Sequence, residues 1–453
     1  MSLTNSAPEE VARAASISAR NLAVLSTEAR NDALTAVHAA LDIARDEILR
    51  ANARDLEQAE KAAERGELSH SVLKRLDLSR KGKWDDMLKG ILDVRDLPDP
   101  VGTVSLRTQL HEGMVLERVS CPIGVLLIIF EARPEVIANI TSLAIKSGNA
   151  AILKGGKEST ESFVAISNVI SKALEATQVP NASIQLTTRD AIPELLKQDR
   201  LIDLVIPRGS NELVTYIKNH TSIPVMGHAD GICCIYVQET ADPAMAVKVI
   251  VDSKTNYPAA CNSVEQLLVD ETALETVLPQ VAEALFAKGV SLRCDAASKA
   301  ALTRHLPKNM SVLVQDASDA DWDTEFLDLI LAIKTIPSSG IAGVDTAVTH
   351  INTHSSHHTD AILTSSKEIA DRFLAAVDSA GVFWNASTRM ADGMRFGFGT
   401  EVGISTNKIH ARGPVGLDGL MIYKYLIKGS GQTAEEFHDG EGGKKWVHKA
   451  LPV

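Results

Sequence analysis

The sequence lacks any sign of paired cysteines. Its five, Cys121, Cys233, Cys234, Cys261 and Cys294, are odd in number and scattered. That fits neither a disulfide framework nor a CxxC zinc pattern. It also lacks a long apolar run: the longest, Gly124 to Phe130, is far short of a membrane span, so no membrane association is expected. Positive charge is not in excess. A formal net charge of −12 argues against a nucleic-acid surface, which needs clustered Lys and Arg. A small anionic ligand answers to a local site and not to the total. Near the start stand Glu9 and Glu10 with no apolar segment of the secretory kind, so a reducing, cytoplasmic location is expected. There is no internal repeat and no low-complexity segment. Finally, no GxGxxG follows any apolar run, so a dinucleotide would have to be held without the ordinary Rossmann phosphate grip.

What is present is a soluble composition, 45% hydrophobic and 23% charged, over 453 residues, which is too long for one ordinary core. Residues 6 to about 95 read as helices. Ser6 and Glu9 have capping-box spacing with Pro8 in the first turn, and Leu34, Val37, Leu41, Ala44 and Ile48 recur on one face. Leu97-Pro98-Asp99-Pro100-Val101-Gly102 cannot continue a helix and ends this block. Two extended runs around His111-Glu112-Gly113 then predict a hairpin. From Gly124 short apolar runs alternate with helical segments. The strands are expected at Val125–Phe130, Ala150–Leu153, Ile184–Leu186, Leu204–Ile206 and Ile232–Val237. The helices are expected at Pro134–Lys146, Ser159–Ala176, Ile192–Gln198 and Asn211–Asn219. Runs this uniformly apolar, each followed by a helix, predict a five-stranded parallel sheet covered on both faces: an α/β fold. A second alternating block, from about Ala244 to Asn385, carries strands at Gln266–Val269, Leu329–Ile333, Ala361–Leu363 and Val382–Trp384. A Gly-rich stretch from Asp392 to Gly419, an extended run Met421–Ile427 and a polar surface tail from Gly431 to Val453 complete the chain.

Chemistry concentrates in Tyr257-Pro258-Ala259-Ala260-Cys261-Asn262-Ser263. This places a cysteine between a helical segment and a strand, with two alanines leaving the sulfur approachable. Backbone N–H groups at such a junction can lower a thiol pKa, and the thiolate is the nucleophile. The competing reading is a small buried cysteine. Two turns after strands are suited to phosphate: Lys154-Gly155-Gly156-Lys157, and Pro207-Arg208-Gly209-Ser210. Each sets small residues and cations before a helix N-terminus; singly, either could be a solvated turn. Arg133, in Glu131-Ala132-Arg133-Pro134, could meet a carboxylate or phosphate bidentately, or pair with Glu131 or Glu135.

Together these segments resemble the aldehyde dehydrogenase superfamily and, within it, the γ-glutamyl phosphate reductase (glutamate-5-semialdehyde dehydrogenase) family. The similarity is carried by Cys261 in its junction, Glu131–Pro134, Pro207–Ser210, Ala347–Asp360 and Thr406–Pro414. It runs from about residue 5 to 430. The resemblance implies an aldehyde dehydrogenase-like α/β fold with a parallel-sheet cofactor domain (1–104 and 122–238), an α/β catalytic domain (239–412) and an oligomerisation β-flap (105–121 and 413–430), leaving a tail at 431–453. In the flap, the hairpin before Pro122 would pair with Met421–Ile427. The implied reaction is reduction of γ-glutamyl phosphate by NADPH to glutamate 5-semialdehyde, with phosphate release, through a thioester on Cys261. A homodimer or homotetramer is implied, with the upstream glutamate kinase as a candidate partner.

The resemblance also implies roles. Lys154, Gly155, Lys157, Arg208, Gly209 and Ser210 would hold the cofactor, with Lys157 standing where NAD-preferring members carry a Glu, and so favouring the 2′-phosphate. Glu325 resembles the residue that binds the nicotinamide ribose. His228 stands where oxidising members carry a hydrolytic Glu, which suits an enzyme that must keep water from its thioester. It argues against the nearest rival, a semialdehyde dehydrogenase yielding a free acid; a non-catalytic protein of the same fold is the other. Without the usual side-chain amide of the oxyanion hole, backbone N–H groups at Cys261 or Asn262 would carry more of it. Arg133 and Arg412, together with Lys408 and Asn262, are candidates for the substrate's anionic groups, with His228 also lining the substrate. No metal is expected. His350, His354, His357 and His358 are separated by Asn, Thr and Ser that make a poor helix, with no nearby Cys or Glu to complete a ligand set, so they are expected to be solvent-facing or structural.

Overall fold

A computed structural model describes residues 6–68, 73, 75–131, 133–209, 211–228, 230–307, 313–337 and 340–453. The chain forms two compact units: Met1–Met226 with Phe398–Gly403 and Val415–Val453, and Gly227–Gly397 with Ile404–Pro414.

In the first unit, helices Pro8–Leu22, Thr27–Ile43, Arg45–Glu64 and Lys83–Asp96 form the N-terminal layer. Leu34, Val37 and Leu41 are fully buried on one face of the second helix, as their spacing of three and four requires. The helix does not run on as expected: it is capped at Ala44, which is only half-buried, and Ile48 is buried from the helix that follows. The Ser6–Glu9 capping box is not formed. Ala7 is the N-cap of the first helix and gives it no side-chain cap, so Pro8 at the first position sets the start. The apolar runs become a parallel sheet of four strands, in spatial order Ile184–Leu186, Ala150–Lys154, Val125–Phe130, Leu204–Arg208. All six residues of Val125–Phe130 are buried, which is why that run carries no polar alternation. The 192–198 helix is shorter than expected, Ile192–Leu195.

A separate antiparallel sheet is built on the hairpin Val104–His111 and Met114–Pro122. Met421–Lys428 pairs with its second strand, Met421 opposite Pro122. The tail does more than lie on the surface. Lys449 and Ala450 pair with Gln109 and Thr108, closing the free edge of the hairpin's first strand. Trp446 stacks between Phe437 and His448, at centroid distances of 4.0 and 5.5 Å.

The second unit contains a seven-stranded sheet in which every pairing is parallel: Val314–Asp316, Ser291–Cys294, Ile330–Ile336, Val264–Asp270, Cys233–Val237, Thr359–Leu363, Gly381–Trp384. The 232–237 run, expected as the fifth strand of the first sheet, therefore belongs here. A uniformly apolar strand specifies burial on both faces and not its partner. The choice is made by Val264–Asp270 and Thr359–Leu363 on either side, helped by the Asp360 carboxylate, which accepts the Cys234 N–H at 2.8 Å. The strands at 291–294 and 314–316 were not anticipated. Nor was a helix over Gly340–His354, a stretch that carries Thr346, Thr349, Asn352 and Thr353. There Val344, Ala347, Val348 and Ile351 line a buried stripe, and their packing outweighs the weak propensity of the residues between them.

Candidate active site

Cys261 stands between helix Pro243–Thr255 and strand Val264–Asp270. Two turns hold the junction: Ala260 N–H donates to the Tyr257 carbonyl at 3.1 Å, and Ser263 N–H to the Ala260 carbonyl at 2.8 Å. Gly231 lies directly against it. A Cβ at Gly231 would sit 2.1 Å from the Cys261 carbonyl oxygen, so only glycine allows this approach. Cys261 is partly exposed, unlike Cys233, Cys234 and Cys294, which are buried.

Two imidazoles flank the sulfur. The Cys261 Sγ and one ring nitrogen from each of His228 and His358 all lie within 4.8 Å of one another. The two rings meet edge to face, with centroids 5.1 Å apart. His228 Nδ1 lies 2.8 Å from the Ile404 carbonyl oxygen and, since a carbonyl only accepts, donates to it, which fixes the orientation of the ring. His358 Nδ1 lies 2.9 Å from Thr359 Oγ1, and its buried Nε2 has no hydrogen-bond partner among the described residues. Burial opposes ionisation of the Cys261 thiol, but the nearby imidazoles of His358, chiefly through its charge, and of His228 outweigh it and hold the thiol well below its ordinary value.

Glu325 is half-buried beside this group. Burial pushes its carboxyl up to about 7, opposed by a hydrogen bond from the Gly231 backbone, with the Cys261 charge adding to the upward push. Asn262 is buried, and both ends of its side chain are engaged: its amide donates to the Ala391 carbonyl at 2.9 Å, and its Oδ1 accepts from Arg389. Lys408 and Arg412 both pair with Asp378, at 2.6 and 2.8 Å. Hydrogen bonds from Lys408 and Arg412 hold the Asp378 carboxyl down to about 2. Both cations thus lean on one carboxylate, while Arg412 Nε remains buried and without a partner.

Two residues were missed. His358 was expected to be solvent-facing or structural, and it is buried against the nucleophile. The signal was its place immediately before the wholly buried strand Thr359–Leu363. Arg389 was not considered at all. It is half-buried, binds Asn262, and carries its guanidinium 6.0 Å from the Tyr257 ring. Its Nε is buried with no hydrogen-bond partner.

In the first unit the expected cofactor residues gather along one sheet edge. Lys154 is the last residue of its strand and stands opposite Ile129; Arg208 ends its own strand opposite Phe130. Lys154 is half-buried, and burial lowers its pKa, opposed by Glu131 and Glu158. Lys157 is exposed at the start of the turn Lys157–Ser159, which leads into helix Thr160–Glu175. Gly155 is required where it is, because a Cβ there would lie 1.7 Å from the Phe163 ring. Gly209 approaches the Glu131 carboxylate in the same way. Ser210 lies outside the described residues. Arg133 is half-exposed, and Glu135, one of its two possible partners, is taken by Lys83 at 3.2 Å.

Among the described residues no helix is long and apolar enough to cross a membrane. No model of a protein family matches the chain. Individual proteins do. A protein of Schizosaccharomyces pombe named probable γ-glutamyl phosphate reductase is 54% identical over 433 residues, covering 95% of this chain and 94% of that one. The crystal structure of γ-glutamyl phosphate reductase from Thermotoga maritima superposes with a TM-score of 0.86 at 38% identity, covering 94% of this chain and all of the other. An acetylating aldehyde dehydrogenase from Geobacillus thermoglucosidasius shares the fold, with a TM-score of 0.63 at 16% identity over 94% and 97% of the two chains. With a nucleophile-suited cysteine on an aldehyde dehydrogenase-like α/β fold, and with this degree of identity along nearly its whole length, the chain belongs to the γ-glutamyl phosphate reductase family.

Proposed function

We propose that the chain reduces γ-glutamyl phosphate to glutamate 5-semialdehyde and inorganic phosphate, using NADPH, as a cytoplasmic step of proline biosynthesis. The observation that carries this reading is Cys261 held between His228 and His358 with its thiol pKa depressed. The Cys261 thiolate attacks the acyl carbon and the C–O bond to phosphate breaks, leaving a thioester and a phosphate that takes up a proton. Bound NADPH supplies the hydride that reduces the acyl carbon. The C–S bond then breaks, the aldehyde leaves and the thiolate returns. The backbone N–H groups at Cys261 and Asn262 are assigned to the developing oxyanion.

The absence of a carboxylate at position 228 supports protection of the thioester. An imidazole that donates Nδ1–H to Ile404 is anchored beside the sulfur. Arg412 and Lys408 are proposed for the substrate's anionic groups, and Arg389 joins them, since its charge lies near Cys261 and one of its N–H groups is unspent. Arg133 is proposed for an anion at the carboxyl edge of the first sheet.

The chemistry of the first unit's residues fits NADPH. Lys154, Lys157 and Arg208 offer three cations at the carboxyl edge of a parallel sheet, where dinucleotides bind in α/β folds. Lys154 and Lys157 are proposed for phosphate, Lys157 for the 2′-phosphate, and Glu325 for the nicotinamide ribose. The antiparallel flap is proposed as the contact of a homodimer or homotetramer, and glutamate kinase as the upstream donor of an unstable acyl phosphate.

The test runs the reaction backwards. Glutamate 5-semialdehyde and NADP⁺ should yield NADPH only when inorganic phosphate is added. Equal turnover without phosphate would mean that water, and not phosphate, resolves the thioester, and the reading would fail.

A further inference from the structure

Beyond nucleophilic catalysis, the Cys261 cluster has the composition of a metal site. We propose that Cys261, His228 and His358 form a three-ligand site for zinc-class divalent cations, and that its occupancy reversibly silences the nucleophile. Three donors, one sulfur and two imidazole nitrogens, already lie within 4.8 Å of one another. A tetrahedral zinc with bonds of about 2.0–2.3 Å needs donors about 3.4–3.6 Å apart, so the site closes by a shift of an ångström or so in side chains.

The surroundings are those of ligating histidines. Each presents one nitrogen to a fixed oxygen, His228 Nδ1 to the Ile404 carbonyl at 2.8 Å and His358 Nδ1 to Thr359 Oγ1 at 2.9 Å. Such outer contacts orient the ring and aim the other nitrogen at a metal. In His358 that other nitrogen, Nε2, is the unpartnered one, on a side chain only 1% exposed. A buried donor or acceptor with nothing bound to it costs stability, and a cation would satisfy it. Cys261 is partly open, which gives the ion a way in. Sulfur and imidazole select zinc, cobalt and cadmium over magnesium and calcium, which prefer oxygen. Binding replaces the thiol proton by the metal: an S–metal bond forms, the proton leaves to solvent, and nothing is oxidised. The sulfur lone pair needed for attack on the acyl carbon is then engaged. The ring of three ligands leaves one tetrahedral position for water.

Cobalt(II) is the probe for the site. The metal-free full-length chain should bind one equivalent, with a sulfur-to-cobalt charge-transfer band and the intense visible bands of a tetrahedral ion. Cys261→Ser should remove the charge-transfer band, and His358→Ala should weaken cobalt binding at least about tenfold. His354→Ala, at the end of a neighbouring helix and paired with Asp323, should change neither. In the wild-type chain, whose folding is not in question, stoichiometric zinc should block alkylation of Cys261 by iodoacetamide, read by peptide mass, and a chelator should restore it. Cobalt binding without a sulfur band, unchanged affinity in the folded His358→Ala variant, or zinc that leaves Cys261 fully alkylated would each overturn the proposal.

Discussion

Cys233 and Cys261 are close enough that the Cys233 thiol donates to the Cys261 carbonyl at 3.3 Å, yet they are chemically opposite. Cys233 opens a wholly buried strand, where burial drives its thiol well above the ordinary value. Cys261 sits in a turn beside two imidazoles that drive its thiol well below. The difference is one of backbone position. A strand in the middle of a parallel sheet spends its N–H groups on neighbours and packs its side chains in hydrocarbon. A turn at the edge of such a strand leaves room for polar groups brought by other segments.

The largest expected effect breaks the comparison outright. Cys261→Ala should lower phosphate-dependent oxidation of glutamate 5-semialdehyde by roughly 10⁴-fold or more, as loss of a covalent nucleophile does, with an unchanged circular dichroism spectrum. Retention of turnover would remove Cys261 from the chemistry.

The pH dependence of alkylation sharpens it. Because the folded-state pKa of Cys261 is depressed, its thiolate persists as the pH falls from the ordinary thiol value toward neutrality, and iodoacetamide should react readily at neutral pH. In His358→Ala that rise should move upward, and each unit costs about tenfold in rate at a pH below both values. Cys233 should react only after denaturation. Equal pH profiles for wild type and His358→Ala would dismiss the imidazole as the cause.

The third test concerns the exposed turn of the first unit, which is built without such burial. Lys157→Glu should raise the KM for NADPH about ten- to a hundredfold, since a charge-assisted contact contributes about 1.5–3 kcal/mol, while the KM for NADH changes little. Equal changes for both cofactors would mean that Lys157 does not read the 2′-phosphate.

The smallest effect is expected at Cys233→Ala. Losing one buried sulfur should cost about 1 kcal/mol in denaturant unfolding and leave kcat within a few-fold. A collapse of activity comparable to that of Cys261→Ala would contradict the structural role given to Cys233.

How far the sequence could be read follows from the range of the forces involved. The junction around Cys261, the glycine turns after Lys154 and Arg208, and the hairpin at 111–113 are set by local chemistry and were visible residue by residue. The helix over Gly340–His354 was not. Its Thr and Asn content is local information, while the buried stripe of Val344, Ala347, Val348 and Ile351 gains its energy only from what it packs against.

Composition and pattern alone determined an α/β chain with parallel sheets, a nucleophile candidate at residue 261 and cation-bearing turns at strand ends. Strand partnership was decided only in three dimensions, because an apolar run is equally content in any buried sheet; Cys233–Val237 took its neighbours from residues about 30 to 130 positions away. The meeting of His228, Cys261 and His358 was decided there too. Each arrives on a different segment, and Gly231 permits the contact by having no side chain to obstruct it. No spacing in the sequence encodes a cluster whose members share only their place before three neighbouring strands, since the distances that matter to a thiolate are measured through space and not along the chain.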